Sequence, residues 1–570
     1  MFYKNFLNQN FSEIKQNCLK SGVLFEDDQF PADKNSISKK NNDEDLFIWK
    51  RPHEFITNPV FISEDTQNWY LNQGELGDCW LISGIAALSQ NQDKFERIVP
   101  KDQNFNENYA GIFRFRFWLY GEWIEVVVDD RLPLKNDKLV YSRNLKNPNE
   151  MYGPLLEKAY AKINKGYFNL ISGEINDSLT DFTGGLQENF QLKNQKDKDK
   201  LWKTILKYFD MKSMAGCAID LPKNENESLY LENKLRTGHT YTVLKPIEIF
   251  YDDNLRKFEL RVSRDEDLSK HKNRIRLLKL RNPWGHEIPW TGKWSQDSVE
   301  WKKLSNEIKE KIDFVSCQND GLFFISFDDF LKYFDNLDFV HTNLSIFDNK
   351  VHNDDWKCEQ FYGEWKIGVN SGGSSNSGNQ NFFTNPKYIL DLSSESRNVS
   401  FIISLMQTDN LTKREKLGKL KGSREALGVH IYKFLENNQV LKDSNIKFVD
   451  NTGLYIYKRE INRKFELSPG VYLIIPTCFK KDVDMKYFIR FFSDSKDFKI
   501  SPIELKYQNE EKINNSTGRI NKPVQNLKSK NQKIVKKQYI SDIEKGKNKT
   551  IGMHLTKLDH QDFSEACLVM

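Results

Sequence analysis

No apolar run in the 570 residues approaches the roughly 18 that a membrane-spanning helix needs, and the opening MFYKNFLNQN has no apolar signal-peptide core. Cysteine is scarce: Cys18, Cys79, Cys217, Cys317, Cys358, Cys478 and Cys567 are odd in number, scattered, and never arranged as CxxC. That argues against a disulfide framework or a thiolate zinc site, and points to a reducing, cytoplasmic setting. Neither sign of charge dominates, because 85 basic residues face 80 acidic ones for a net charge of +5. The chain as a whole therefore lacks the basic excess of a nucleic-acid binder. Aromatics, by contrast, are plentiful (12 Trp, 22 Tyr, 40 Phe), enough for large packed cores. A chain this long exceeds one core, and about three to four domains are expected.

In FSEIKQNCLKSG, Phe11, Ile14 and Cys18 share one helical face and Gly22 stops the helix. Residues 34–45 are polar and linker-like, so 1–45 reads as a helix plus linker. GIFRFRFWLYGEWIEVVVDD alternates and then runs apolar, the pattern of a hairpin whose second strand is buried. PLLEKAYAKINKGY repeats at helical spacing, with Pro154 in the first turn. Strands follow at CAIDL, HTYTVLKPIEI, RIRLLKLRNP and FFISF, giving an α+β region that is helical early and sheet-rich later. SGGSSNSGNQN (371–381) reads as a flexible loop, and regularly spaced short strands from 386 to 505 predict an all-β sandwich. Past 508, Asn, Lys, Gln and Ser dominate, and 508–570 is expected to be disordered.

The stretch QGELGDCWLISGIAALSQ places Cys79 where an acidic turn gives way to an apolar helix. A helix N-terminus lowers a thiol pKa and favours the nucleophilic thiolate. An oxyanion formed beside it needs donors, which the Cys79 backbone N–H and the Gln73 side-chain amide would supply. The thiol also needs a base, and the base an orienting acceptor. His239, set after Gly238 at the start of a strand, and Asn282, held in the turn of RNPWG, fill those roles, with Trp284 placed to shield their hydrogen bond. The order Cys, His, Asn, with the His roughly 160 residues after the Cys, is that of papain-like thiol peptidases.

QGELGDCWLISGIAALS, ENYAGIFRFRFWLYGEWIEVVVDDRLP, PLLEKAYAKINKGY, DFTGG, GHTYTV, RNPWG and WTGKW, in this order, resemble the protease core of the calpains. The resemblance runs from LFEDDQFPAD to about residue 345, and the segment from WKCEQFYGEW onward is similar to the C2-like sandwich that follows it. It implies a papain-like core of two lobes, an α-rich one at 46–175 with Cys79 and a β-barrel-like one at 176–345 with His239 and Asn282. A C2-like sandwich at 346–507 would follow. It also implies that Cys79 is the nucleophile, His239 the base, Asn282 its orienter and Gln73 the oxyanion donor of a cysteine endopeptidase acting on protein substrates.

The family resemblance further implies one calcium per lobe, and here the match is partial. Glu150 stands at a first-lobe ligand position, but Tyr70 replaces an Asp there. Asp320 is retained in the second lobe, Leu322 replaces a Glu, and Glu287 and Asp297 lie near enough to substitute. Lost carboxylates weaken calcium steeply, so the expectation is calcium assistance through the Asp320 region. Tyr152 replaces a Trp, Glu174 replaces a second glycine in the cleft, and DLSSESRNVS stands in place of an acidic loop. No DxDxDG loop follows the sandwich, so neither the penta-EF-hand module nor a small EF-hand partner subunit is implied.

The terminal CLVM resembles a C-a-a-X box, marking Cys567 for prenylation, with the lysines of 526–538 as a polybasic second signal for membrane association. Two functions are thus expected to compete: a cytosolic cysteine endopeptidase making limited cuts in proteins, and a weak or silent, membrane-tethered adaptor that keeps the shape as a binding module.

Overall fold

The computed structural model describes residues 3–504, apart from 39–46, 64–69, 223–224, 226–227, 253–256, 261–273, 286–288, 315–319, 348–355, 376–378, 380, 409–423 and 437–440. The sequence-derived tail 508–570, its lysines, Cys567 and Glu287 lie outside the described residues.

The helical half opens with Phe11–Ser21, capped by the Asn10 side chain and ended by Gly22 at φ 69°. Its apolar face (Phe11, Ile14, Cys18) packs on Ile112 and Val127 of the hairpin Ile112–Leu119/Glu122–Asp129. A shared core then joins that hairpin to the helices Cys79–Leu88, Tyr152–Ile163 and Ile175–Thr183. Cys79–Leu88 is buried along its whole length, which explains its unbroken apolar sequence. At Gly84 a Cβ would fall 2.2 Å from Ser178 Oγ, so the glycine lets Ile175–Thr183 cross in close contact.

The sheet half is a seven-stranded antiparallel sheet in the order Leu322–Ser326, Arg274–Arg281, His239–Asp252, Met214–Ile219, Asn336–His341 and Leu186–Gln191, with Lys257–Leu260 added to the end of the long strand. Its first and last strands do not pair with each other among the described residues, so the sheet is open. The expectation of a barrel-like lobe is corrected accordingly: no closed barrel forms. The long strand tolerates Pro246, which has no N–H, because the register shifts by a bulge between Val243 and Lys245 just before it. Its core around Trp202, Tyr241 and Phe339 is separate from that of the helical half.

The third unit is an all-β sandwich. A four-stranded sheet (Lys357–Trp365, Met485–Ser493, Val399–Gln407, Glu460–Leu467) and a five-stranded one (Ile446–Asn451, Leu427–Phe434, Val471–Cys478, Lys387–Asp391, Lys499–Ile503) share one core. All nine residues of Val399–Gln407 are buried, because the strand is covered on both faces. Phe401, Ile403 and Leu405 enter the sandwich core, whereas Ile402 meets Leu186 of the sheet half and Met406 meets Trp118 of the helical half. The described part of the Gly/Ser segment is not a free loop: Ser371 and Ser374 are buried, and the Asn385 amide binds both Gly372 and Gly373.

A charged clasp completes the docking. Arg459 of the sandwich donates to the Asp181 carboxylate (2.9 Å) and the Asp177 carbonyl (2.8 Å), and Arg424 pairs with the Asp177 carboxylate (2.8 Å). Both aspartates sit on Ile175–Thr183, the helix that packs on Cys79–Leu88.

Candidate active site

Cys79 is the first residue of its helix and is 7% exposed. As the opening helical residue, its backbone N–H has no acceptor within the helix. One turn further along, Ser83 donates to the Thr240 carbonyl (3.2 Å), and Thr242 Oγ1 donates back to the Ser83 carbonyl (3.0 Å). These bonds seat the helix against the strand that starts at His239. Gly238, at φ 59°, makes the turn into that strand, and a side chain there would collide with Leu221.

His239 Nε2 lies 2.9 Å from Asn282 Oδ1. The Asn282 oxygen also accepts the Trp284 backbone N–H at 3.1 Å. An atom that accepts from an amide must be the carbonyl oxygen, so the Asn282 amide cannot be flipped. The bond therefore fixes the neutral His239 tautomer, with hydrogen on Nε2 and a lone pair on Nδ1. Burial pushes the His239 imidazole down to about 4, with Asn282 acting the other way and Arg236 adding to the fall. The Trp284 ring covers the pair at 5.1 Å from the imidazole, and the Arg236 guanidinium stacks over that indole at 4.2 Å.

Gln73 is oriented with the same definiteness. Its Oε1 accepts the Trp284 indole N–H (2.9 Å) and its Nε2 donates to the Leu76 carbonyl (2.6 Å), leaving a second amide hydrogen for another acceptor. Its backbone N–H donates to the Pro283 carbonyl at 2.9 Å. Residues 71–73 of the helical half thus lie along residues 281–284 of the sheet half. Arg281 Nη2 extends the contact by donating to the Leu71 carbonyl at 2.7 Å. The sequence-derived set of Gln73, Gly238, His239, Asn282 and Trp284 is brought together, with Cys79 on the helix that abuts it.

The expected metal positions behave differently. Glu150 is buried, with one oxygen accepting the Ser63 N–H (2.8 Å) and the other the Asn144 amide (2.7 Å). Asp320, also buried, accepts the Leu322 N–H (3.0 Å) on one oxygen and the Lys146 ammonium (3.1 Å) on the other. Asp297 is exposed. No group of three or more His, Cys, Asp or Glu side chains able to hold a metal occurs among the described residues. Both oxygens of each of the Glu150 and Asp320 carboxylates are thus engaged by N–H donors, and Glu287 lies outside the described residues.

Sequence reasoning missed Lys146, Arg236 and Ser83. Each acts through a partner distant in the chain, so that even Ser83, inside the GDCWLISG stretch, gives no local sign of its bonds to Thr240 and Thr242. Glu174 is tied to Lys458 of the sandwich at 3.3 Å, so the cleft segment it belongs to is linked to the third unit.

Residues 25–341 match the model of the calpain family cysteine protease, and residues 361–492 match domain III of the calpain large subunit. The chain is 34% identical to Calpain-9 of Rattus norvegicus over 85% of its own length and 67% of that protein's. It is 34% identical to Calpain-A of Drosophila melanogaster (85% and 58%) and 34% identical to the Calpain-2 catalytic subunit of Mus musculus (86% and 69%). The chain thus spans between 58% and 69% of the length of these relatives.

Proposed function

Because the chain belongs to the calpain family of cysteine proteases, we propose that it is an endopeptidase that cuts protein substrates through Cys79, His239, Asn282 and Gln73. The observation that carries this reading is the doubly determined Asn282 oxygen, which holds His239 in the one neutral tautomer that leaves Nδ1 ready for a thiol proton. The helical and sheet halves, each with its own core, act as the two lobes of a papain-like cleft, and the sandwich as a C2-like module.

The Cys79 sulfur attacks the scissile carbonyl carbon while its proton passes to His239 Nδ1. The carbonyl oxygen becomes an oxyanion, stabilised by the Cys79 backbone N–H and the free Gln73 amide hydrogen. The C–N bond then breaks as His239 returns the proton to the leaving amine, and a thioester remains. Water attacks the thioester with His239 again taking a proton. The C–S bond breaks, and Cys79 regains its hydrogen. Burial favours neutral His239 as the resting base, with the imidazolium forming transiently beside the thiolate.

The test is inactivation with a peptidyl epoxide. One adduct on Cys79, appearing in step with the loss of casein cleavage, supports the reading. Undiminished cleavage after full modification of Cys79 contradicts it.

A further inference from the structure

Lys146 lies in a loop of the helical half, and Asp320 on the loop that leads into the strand Leu322–Ser326 of the sheet half. The Asp320 carboxylate is 1% exposed, and its partner across the seam is the Lys146 ammonium at 3.1 Å. We infer that Lys146 is the built-in cation that joins the two halves, in the place where the family resemblance implies calcium. This rests on the peptidase reading above for its effect on turnover, but not for its effect on the seam itself.

The loops around the pair show why it bears on catalysis. Leu145 N–H, next to Lys146, donates to the Asn72 side chain at 3.2 Å, and Asn72 immediately precedes Gln73. On the other side, the carbonyl of Gly321, next to Asp320, accepts the backbone N–H of Asn282 at 2.8 Å. One ion pair therefore links a loop bonded beside Gln73 to a loop bonded to Asn282. Glu150, the other retained calcium position, shapes the loop that delivers the lysine. Its carboxylate holds the Asn144 amide, and Asn144 Oδ1 in turn accepts the N–H groups of Lys146 (2.9 Å) and Asn147 (3.0 Å).

The charge count at the seam opposes a divalent ion. Asp320 faces Lys146 and also the field of Arg281, which is fully buried, with Nε and Nη1 that meet no acceptor among the described residues. Burial pushes the Arg281 guanidinium down to about 10, and Asp320 is the chief influence in the other direction. Tyr70, in place of a family carboxylate, offers its ring to the Lys146 ammonium at 3.8 Å to the centroid. Among the described residues, a calcium ion entering here would meet one carboxylate and two cations, whereas it needs several oxygens. A tethered ammonium needs only the one carboxylate and the ring.

The experiment compares the full wild-type chain with Lys146→Met and Lys146→Arg, in millimolar calcium and in excess chelator. Casein turnover and hydrogen exchange at the Gln73 and Asn282 amides are the two readouts. Wild-type turnover in chelator should stay within about twofold of that in calcium, since Lys146 already engages Asp320 across the seam. Lys146→Met should lose about tenfold or more through misalignment across the seam, and its two amides should exchange faster. Lys146→Arg keeps the charge and should keep both properties. A wild type that is inert in chelator and switched on by calcium, or whose seam amides slow only when calcium is added, overturns the inference and leaves the peptidase reading intact. Unchanged exchange in Lys146→Met also overturns it. A chain that cuts casein under neither condition contradicts the peptidase reading instead, while the exchange data still decide the role of Lys146.

Discussion

His239 and Asn282 are joined by a 2.9 Å hydrogen bond whose direction is set by a third group, the Trp284 backbone N–H that shares the same Asn282 oxygen. The base is thereby held in one tautomer by the backbone of the RNPWG turn, and not by a side-chain contact alone.

Asn282→Ala removes that acceptor while leaving the cleft walls in place. The imidazole then samples other orientations, and turnover should fall about 100-fold with little change in KM. Steady-state kinetics on a peptide substrate decide this, and an unchanged turnover number would take Asn282 out of the mechanism.

Buried His239 also makes stability depend on pH. Its folded-state pKa of about 4 lies below the ordinary value near 6.5, so the neutral ring is favoured by folding. Its contribution is fully present above about pH 6.5 and is lost as pH falls from there towards 4. The loss approaches about 3 kcal/mol for this residue. His430, pushed down to about 4 by burial in the sandwich, acts in the same direction. Unfolding of wild type and His239→Gln at several pH values should show a steeper acid loss in wild type. Parallel profiles would contradict the assignment.

The clasp between the sandwich and Ile175–Thr183 should be strongly stabilising as a unit and damaging when half removed. Burial works against ionised Asp177, but Arg424 and Arg459 outweigh it and hold its carboxyl below the usual range. Arg459→Met leaves buried carboxylates short of their partner and should cost about 3–5 kcal/mol. Adding Asp181→Asn should recover part of that loss, because Asp181 loses its arginine partner in Arg459→Met whereas Asp177 keeps Arg424. A double variant less stable than Arg459→Met would show that packing of the guanidinium, not its charge, is what matters.

Much of the site was legible because its residues stand at element boundaries with strong local signals. Gly238 and the RNPWG turn mark the ends of strands, and GDCW marks the start of a buried helix. The N-terminal helix was legible through its spacing and Gly22, and the sandwich through its recurring short strands. Lys146 was not, because its partner Asp320 is 174 residues away and neither neighbour carries a motif. The open sheet was equally hidden. Whether Leu186–Gln191 and Leu322–Ser326 meet depends on the cumulative register of the strands between them, which no local pattern records. The Gly/Ser segment at 371–374 read as free because the group that fixes it, the Asn385 amide, lies beyond it in the chain.

The central claim is that Cys79 is the nucleophile of a protein-cutting enzyme, and the most direct measurement is casein cleavage by wild type beside Cys79→Ala. A thiol at the first residue of a helix adds little packing, so the alanine variant should show the wild-type circular dichroism spectrum and melting midpoint. Wild type should cleave casein, and Cys79→Ala should not cleave it detectably. Equal cleavage by the two proteins would contradict the account.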